Sequence, residues 1–255
     1  QAPATEAAPA PRRERKKISM EFVITILALT WLGFALLLSF LPNVFAPDDP
    51  TLIHASDALK APGTDGFIFG TDQYGKNMWT LMVHGANQSI IIGLLATALA
   101  VIVGGTVGLV GGYAGGITDM ILGRIIDTLM CFPGVLLALI IATALGPSIP
   151  NLIIAVGVGS IPSFARVMRG QVISVRSRLY VEAARALGFG QLRIIFKHVL
   201  LNSIAPMVVL GTINIGGAIV AAASLSFLGL GPKTSVPDWG QLLATGQPYL
   251  SVAWW

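Results

Sequence analysis

The chain has 255 residues, of which 54% are hydrophobic and only 11% are charged, and its formal net charge is +4. Soluble domains carry about 25% charged residues, so this composition excludes an ordinary soluble domain and indicates an integral membrane protein. The lone Cys131 excludes a disulfide within the chain. We therefore predict an all-α, polytopic membrane protein.

Five apolar stretches are visible, and a membrane-spanning helix needs roughly 20 such residues. They lie at residues 22–46, 89–113, about 128–145, about 149–165 and within 199–230. The last stretch is longer than one span requires, so part of it is expected along the membrane surface or in flanking loops. Trp254 and Trp255 favour the membrane interface, and they predict a sixth helix beyond the C-terminus of this chain.

The N-terminal region divides into a tail and a first membrane helix. Residues 1–17 are Ala/Pro-rich and then basic, which predicts a disordered cytoplasmic tail. An uncleaved helix over 18–46 is favoured over a secretory signal peptide. The apolar region exceeds the roughly 7–15 residues of a signal peptide, and no small-x-small cleavage site follows it at the right distance.

Charge predicts the orientation of the chain in the membrane. Starting from a cytoplasmic N-terminus, residues 47–88 form an external loop, 114–127 a short internal loop, and 166–198 a long internal loop. The long internal loop is basic, whereas the external loop is rich in aspartate, in agreement with the positive-inside rule. The basic side chains inside are Arg166, Arg169, Arg176, Arg178, Arg185, Arg193 and Lys197, against the single acid Glu182, and the aspartates outside are Asp48, Asp49, Asp57, Asp65 and Asp72.

The basic internal loop carries a helical pattern on each side of Gly188 and Gly190. Apolar residues recur at three- and four-residue spacing, which predicts two short amphipathic helices joined by a glycine turn. The apolar positions are Leu179, Ala183, Ala184 and Leu187, then Leu192, Ile195, Phe196 and Val199. Glu182 is expected to pair with Arg178 or Arg185. The first helix either packs on its own membrane domain or enters a groove of another protein.

The order Glu182-Ala183-Ala184, three residues, then Gly188 resembles the coupling loop of ABC-importer permeases, which inserts a short helix into a cleft of the cytoplasmic ATPase. The resemblance departs from the family at the end of the loop, where His198, Leu200 and Leu201 replace the usual Ile-x-Leu-Pro. It implies an ATPase-coupling set of Glu182, Ala183, Ala184, Arg185, Leu187 and Gly188. The loop arginines then contact either solvent, the ATPase or anionic lipid.

Further motifs resemble the dipeptide, oligopeptide and nickel permeases. Residues 69–77, FGTDQYGKN, look like that family's Gly-Thr-Asp-x-x-Gly-Arg-Asp signature, with Lys76 and Asn77 replacing Arg and Asp. The segments CFP, LSFLGLG and PDWG, at residues 131–133, 225–231 and 237–240, are similar to it as well. The resemblance runs from residue 22 to the end, so 89–255 would be the permease core, and it points to the C-type subunit.

This resemblance implies a type I ABC-importer permease in the bacterial inner membrane, forming half of a pathway for di- or oligopeptides. Its implied partners are a homologous B-type permease, two ATPase subunits, an external substrate-binding protein and the lipid bilayer, without nucleic acid. The chain itself would be no enzyme and would hold no cofactor, because ATP and Mg²⁺ would bind to the ATPases. The alternatives are a permease for nickel or another small solute, a channel or carrier outside the ABC class, and an assembly protein.

Glycines recur every four residues at Gly104, Gly108, Gly112 and Gly116. This small-xxx-small spacing lets membrane helices approach closely. A phosphate-binding loop is disfavoured, because no Gly-Lys-Ser/Thr follows the glycines. We therefore predict a helix-packing role for Gly104, Gly108 and Gly112.

Polar residues within the fifth stretch are candidates for lining the translocation pathway, Asn214 and Ser224 above all, with Thr212 and Ser226. No full charge is expected well inside a span, which argues against a proton- or ion-coupled carrier. The isolated His54, His84 and His198 predict neither a metal site nor a catalytic constellation.

Overall fold

The computed structural model describes residues 20–255, so the basic tail predicted for residues 1–17 lies outside the described residues. The described chain is helical, apart from short turns and one long irregular segment at residues 46–77. It divides after Leu37 into two compact units. The prediction of an all-α protein is confirmed.

The helices are, in chain order, α1 (Met20–Phe40), α2 (Pro42–Phe45), α3 (Met78–Ala114), α4 (Gly116–Met130), α5 (Gly134–Leu145), α6 (Ile149–Arg176), α7 (Leu179–Ala186), α8 (Gln191–Arg193), α9 (Leu201–Ser203), α10 (Ala205–Leu225) and α11 (Trp239–Gly246). Two π-helical segments, Ile194–Leu200 and Ser226–Leu230, follow α8 and α10 directly. Short 3₁₀ turns lie at Ala55–Asp57 and Gln247–Tyr249.

Four helical segments within residues 20–255 are long and apolar enough to cross a membrane. They are Met20–Phe40, Met78–Ala114, Ile149–Arg176 and Ala205–Leu230. The pair α4 and α5 supplies a fifth if it counts as one span, although its two halves are bent by 89°. Each of the predicted apolar stretches therefore corresponds to a helix or to this bent pair.

The second span begins earlier than the sequence predicts. Residues 78–88, predicted as the end of the external loop, form the first turns of α3. Asn77 caps the helix by accepting from the Trp79 backbone N–H at 3.1 Å. Polar side chains made these helical turns look like part of a loop, but they bind neighbouring backbone. Asn87 Nδ2 donates to Ser39 O at 2.8 Å, and Gln88 Nε2 donates to Val236 O at 3.0 Å. Their polar groups are thus satisfied within the helix bundle.

The third span also differs from its predicted form. Residues 114–127 were expected to form a loop, but most of them belong to α4. The helix stops at Cys131, and α5 begins after Pro133. Proline has no backbone N–H and disfavours helical geometry in the preceding residue, which explains the break. The charged residues of α4 had lowered its hydropathy enough to suggest a loop.

The most extensive helix contact in the bundle joins α3 to α6. A Cβ built on Gly104 would lie 2.7 Å from Ile161 O, and one on Gly108 would lie 2.7 Å from Met168 Cβ. A Cβ on Gly112 would lie 2.9 Å from Arg169 O. These glycines therefore let the α6 backbone lie directly against α3. Gly116 is not part of this contact, because it starts α4 at φ +56° with no atom near its Cβ position.

The irregular segment at residues 46–77 has its own buried polar centre. Thr71, 2% exposed, accepts from the Lys60 backbone N–H at 2.8 Å and donates to Asp57 O. The segment leads into the Met78 end of α3. At this end, side-chain hydrogen bonds of Gln88 and Trp239 connect α11 and its preceding loop to α3. This end of the bundle is opposite to the end that carries α7.

An ion pair beside Thr71 makes the segment sensitive to pH. Lys60 Nζ lies 2.8 Å from Asp57 Oδ1, and this hydrogen bond holds the pKa of Asp57 below its usual range and raises the pKa of Lys60. The Asp57 contribution to stability is present above the ordinary aspartate pKa and is lost as pH falls through the lowered value. The Lys60 contribution is present below the ordinary lysine pKa and is lost as pH rises through the raised value. The pair thus persists across neutral pH, with a small effect because both groups are partly solvated.

Thr71→Val is expected to loosen this segment. Valine has a similar shape but leaves the Lys60 N–H and Asp57 C=O without their partner, at a cost of about 1–3 kcal/mol. Trypsin should then cleave at Lys60 or Lys76 several times faster than in the wild-type protein. Thr64→Val is the matched control, because Thr64 is exposed and only its backbone forms hydrogen bonds in the described residues. Equal cleavage of the two variants would contradict the role assigned to Thr71.

Candidate functional site: the α7 loop

The predicted pair of short helices with a glycine turn is confirmed between α6 and α10. Arg178 has an extended backbone and precedes α7, which ends in a Schellman motif. In that motif the Gly188 N–H donates to Arg185 O at 3.0 Å, and the Phe189 N–H donates to Ala184 O at 3.1 Å. Gly188 has φ +76°, a backbone conformation that favours glycine. The turn sends the chain into α8 and its π-helical continuation.

The buried face of α7 differs from the predicted one. Val181 and Ala184 are 0% and 4% exposed, whereas Leu179 and Leu187 are 83% and 74% exposed. A two-turn helix has room for a narrow contact stripe, and residues three apart share one face. Positions 181 and 184 form that stripe, so the leucines at the two ends of the helix point away from it.

The buried stripe joins α7 to the membrane helices through a continuous apolar core. Val181 and Ala184 belong to the same cluster as Phe164, Met168 and Val172 of α6. The cluster also includes Ile194 and Val199 of the π-helical segment, Ala100 of α3, Val175 of α6 and Met207 of α10. A displacement of α7 is therefore transmitted to α6 by packed side chains.

The outward side of the loop combines apolar side chains with one acidic residue. Leu192 is 71% exposed, and it adds to the exposed Leu179 and Leu187. Glu182 lies on α7 between these leucines, and within residues 20–255 its carboxylate has no ion pair or side-chain hydrogen bond. The expected pairing with Arg178 or Arg185 is therefore wrong. We call Leu179, Glu182, Leu187 and Leu192 the coupling surface, since apolar exposure of this kind marks interaction sites.

The other residues predicted for ATPase coupling occupy different environments. Ala183 and Arg185 are exposed, and Ala184 is buried against the core. The Arg185 guanidinium carbon lies 5.9 Å from the centre of the Tyr113 ring. Ala184 therefore fixes the helix to the core, and the Arg185 side chain points towards α3. The small side chain of Ala183 does not protrude from the outer surface of the helix.

Three of the loop arginines bind their own bundle rather than forming a solvated flank. Arg166 Nη2 lies 2.6 Å from Asp127 Oδ1, and Arg169 Nη2 lies 2.8 Å from Asp119 Oδ2. Arg176 Nη1 donates to Tyr113 O at 3.0 Å. The first two pairs connect α6 to α4 around a cavity of about 190 Å³. Sequence reasoning missed these pairs because it placed both aspartates in a loop.

Arg169→Met is expected to lower the thermal stability of the protein in detergent. It leaves the partly buried Asp119 carboxylate without its bidentate partner, at a cost of roughly 1–3 kcal/mol, between the values for exposed and buried pairs. Arg124→Met is the matched control, because Arg124 is exposed on α4 and forms no ion pair within residues 20–255. The Asp119→Arg, Arg169→Asp double variant should recover part of the loss. Identical melting of the Arg169 and Arg124 variants would refute a structural pair.

The predicted pathway residues have hydrogen-bond partners in the bundle. Asn214 Nδ2 donates to Thr97 Oγ1 at 3.1 Å, which connects α10 to α3. Ser224 is exposed and donates to Val220 O of its own helix at 2.8 Å. Asn214 thus stabilises helix packing, and a pathway role for either residue stays a prediction.

A buried carboxylate at the opposite end was missed as a structural element. Asp238, 2% exposed, accepts from Ser226 Oγ at 2.9 Å and from the Gly240 backbone N–H at 2.8 Å. It caps α11 and, through the hydrogen bond from Ser226, connects this helix to the segment that follows α10. Aspartate directly before a helical turn is an N-cap signal, so the PDWG segment could have revealed this contact. Within residues 20–255, no group of three or more His, Cys, Asp or Glu side chains is placed to hold a metal ion.

Comparisons with known proteins agree with this architecture. Residues 104–254 match the family model described as binding-protein-dependent transport system inner membrane component. The dipeptide transport system permease protein DppC of Alkalihalophilus pseudofirmus is 40% identical over 232 residues, covering 89% of this chain and 76% of the relative. The di/tripeptide transport system permease protein DppC of Pseudomonas aeruginosa is 36% identical, covering 82% of this chain and 71% of the relative.

A solved structure shares the fold. The inward-facing MetNI methionine ABC transporter aligns with a TM-score of 0.55 at 19% identity, covering 69% of this chain and 83% of the matched one. Permeases of this kind are membrane subunits of ABC importers, in which partner ATPases hydrolyse ATP and a binding protein delivers the substrate. The chain therefore belongs to the family of binding-protein-dependent transport system inner membrane components, as a multi-pass permease subunit that is not itself catalytic.

Proposed function

We propose that this chain is the C-type permease of a peptide importer and forms half of a translocation pathway for di- or oligopeptides. The observation that carries the proposal is its similarity, over 89% of its length, to a permease named for dipeptide transport. The second relative, named for di/tripeptides, supports the same class of cargo.

The coupling surface would receive the ATPase. Because α7 is held by a Schellman turn and by a packed core, it is formed before any partner binds, which lowers the entropic cost of association. ATP-driven closure of two ATPase subunits would displace α7 and, through the core, tilt α6. The bundle would then alternate between inward-open and outward-open states, with nucleotide changing their populations.

The distribution of charge between the two ends of the bundle supports an orientation in the membrane and a set of partners. The basic α7 end would face the cytoplasm together with the N-terminus, and the aspartate-rich segment at residues 46–77 would face outward. The external binding protein would dock on that outer end. A homologous B-type permease would supply the other half of the pathway within the bacterial inner membrane.

The test is co-purification in mild detergent followed by reconstitution into liposomes. Recovery of a second permease and ATPases, with ATP hydrolysis stimulated by peptide-loaded binding protein, is the expected result. Dipeptides, longer peptides and Ni²⁺ should be compared in the same assay. Stimulation by Ni²⁺ alone would overturn the peptide assignment, and a stable chain that recruits no ATPase would overturn coupling.

A further inference from the structure

Tyr113 lies in the last turn of α3, where three segments of the α7 region meet. Its carbonyl accepts from Arg176 Nη1, at the end of α6, at 3.0 Å. Its ring faces the Arg185 guanidinium of α7. Its hydroxyl donates to Gln191 Oε1 at the start of α8. One side chain thus contacts both short helices of the loop, and its backbone contacts the helix that leads into them.

These contacts attach the loop to the longest helix within residues 20–255. α3 has 37 residues, from Met78, where Asn77 caps it beside the irregular segment, to Ala114, which follows Tyr113. At about 1.5 Å per residue the helix is about 55 Å long, enough to cross the membrane. The glycine contact holds α3 against α6, so the two helices can move as one body.

The apolar core links α7 to α6 and to the π-helical segment Ile194–Leu200, whereas its α3 members contribute only apolar packing. Tyr113 is half-buried at the edge of that core, and it adds two polar contacts from α3 to the loop. The Gln191 hydrogen bond and the Arg185 cation–π contact reach α8 and α7 from the same ring, so displacement of either helix acts on α3 directly. The Tyr113 side chain is not required to end α3. The helix already ends at Gly115, whose backbone N–H donates to Gly111 O at 3.1 Å.

We propose that Tyr113 is a positioning residue that transmits displacement of the coupling helix to α3 and hence to the outer end of the bundle. This inference rests on the proposed function, because it requires an ATPase to move α7. The hydroxyl would keep α8 in register with α3, and the ring would keep Arg185 on α7 in contact with it. Loss of the hydroxyl alone removes one hydrogen bond, and loss of the ring removes both side-chain contacts.

The test uses the assembled transporter and the variants Tyr113→Phe and Tyr113→Leu. Substrate transported per ATP hydrolysed should fall about 2- to 10-fold for Tyr113→Phe, the range expected for one hydrogen bond. It should fall further for Tyr113→Leu, by more than any loss of thermal stability accounts for, with ATPase recruitment unchanged. Thr106→Val is the matched control, since its exposed hydroxyl on α3 bonds only Ile102 O, at 2.7 Å, within the helix.

A second readout does not depend on the cargo. In a Cys131→Ser background, a cysteine replacing Met82 reports on the outer end of α3, where Met82 lines a cavity of about 870 Å³. Trapping the ATPases with ATP and vanadate should change the rate of maleimide labelling at this position. The change should shrink in both Tyr113 variants and persist in Thr106→Val.

The outcomes separate the two proposals. Failure of peptides to stimulate hydrolysis, with nucleotide-dependent labelling still lost in the Tyr113 variants, would contradict the peptide cargo and support the role of Tyr113. The inference would be overturned if maleimide labelling at position 82 did not depend on nucleotide in the protein that retains Tyr113. It would also be overturned if the Tyr113 variants coupled normally, or if they lost transport only in proportion to lost thermal stability.

Discussion

Glu182→Arg is expected to leave the chain inserted and folded but to abolish substrate-stimulated ATP hydrolysis and uptake. Glu182 is exposed on a preformed helix, and within residues 20–255 its carboxylate has no partner, so its substitution disturbs no contact of the chain itself. A charge reversed within a protein interface costs about 2–5 kcal/mol, which corresponds to a loss of roughly 30-fold or more. Uptake and ATPase recruitment by proteoliposomes are the measurements.

Two further variants make this result specific. Glu182→Gln removes the charge without reversing it and should give an intermediate loss. Glu21→Arg is the matched control, because it reverses an exposed acidic residue in the first turn of α1. Wild-type uptake by Glu182→Arg would contradict the coupling role.

The turn after α7 offers a second route to the same phenotype. Gly188→Pro forces φ to about −65° and removes the N–H that donates to Arg185 O. The Schellman turn would open, and the coupling surface would lose its fixed geometry while the membrane helices stayed in place. Uptake should fall as in Glu182→Arg, and normal uptake would show that the turn is dispensable.

Gly108→Val is expected to produce a large loss of stability in the bundle. A Cβ at this position would lie 2.7 Å from Met168 Cβ and 2.8 Å from the Arg169 backbone nitrogen. Backbone atoms cannot turn aside as a flexible side chain does, so α3 and α6 would have to separate. Overpacking costs about 1–3 kcal/mol and sometimes more, and this contact should lie at the upper end. The melting temperature in detergent is the measurement.

The control uses the same substitution on the other helix of the pair. Gly170 lies on α6 with no atom within 4 Å of its Cβ position. Gly170→Val should therefore melt close to the wild-type protein, and Gly108→Ala should fall between the two. Similar melting of Gly108→Val and Gly170→Val would refute close packing at Gly108.

Features that depend on local pattern were readable before the fold was known. Hydropathy located the membrane helices because a span must satisfy its backbone internally and face lipid with apolar side chains. The four-residue glycine spacing lies on one face of α3, and that face meets α6. The α7 loop was found in the same way, since its helical period and Gly188 are contained in a few consecutive residues.

Other features depend on partners far apart in the chain. The aspartates of α4 resembled loop residues until α6 supplied Arg166 and Arg169 as their partners. Leu179 and Leu187 looked like buried positions, but the face of α7 that is covered depends on where the core of α6 and the π-helical segment lies. Composition and periodicity therefore established the membrane class, the spans and the short helix α7. Long-range packing determined which side chains of that helix are exposed and how Tyr113 connects it to α3, because contacts between distant residues leave no periodic trace in the sequence.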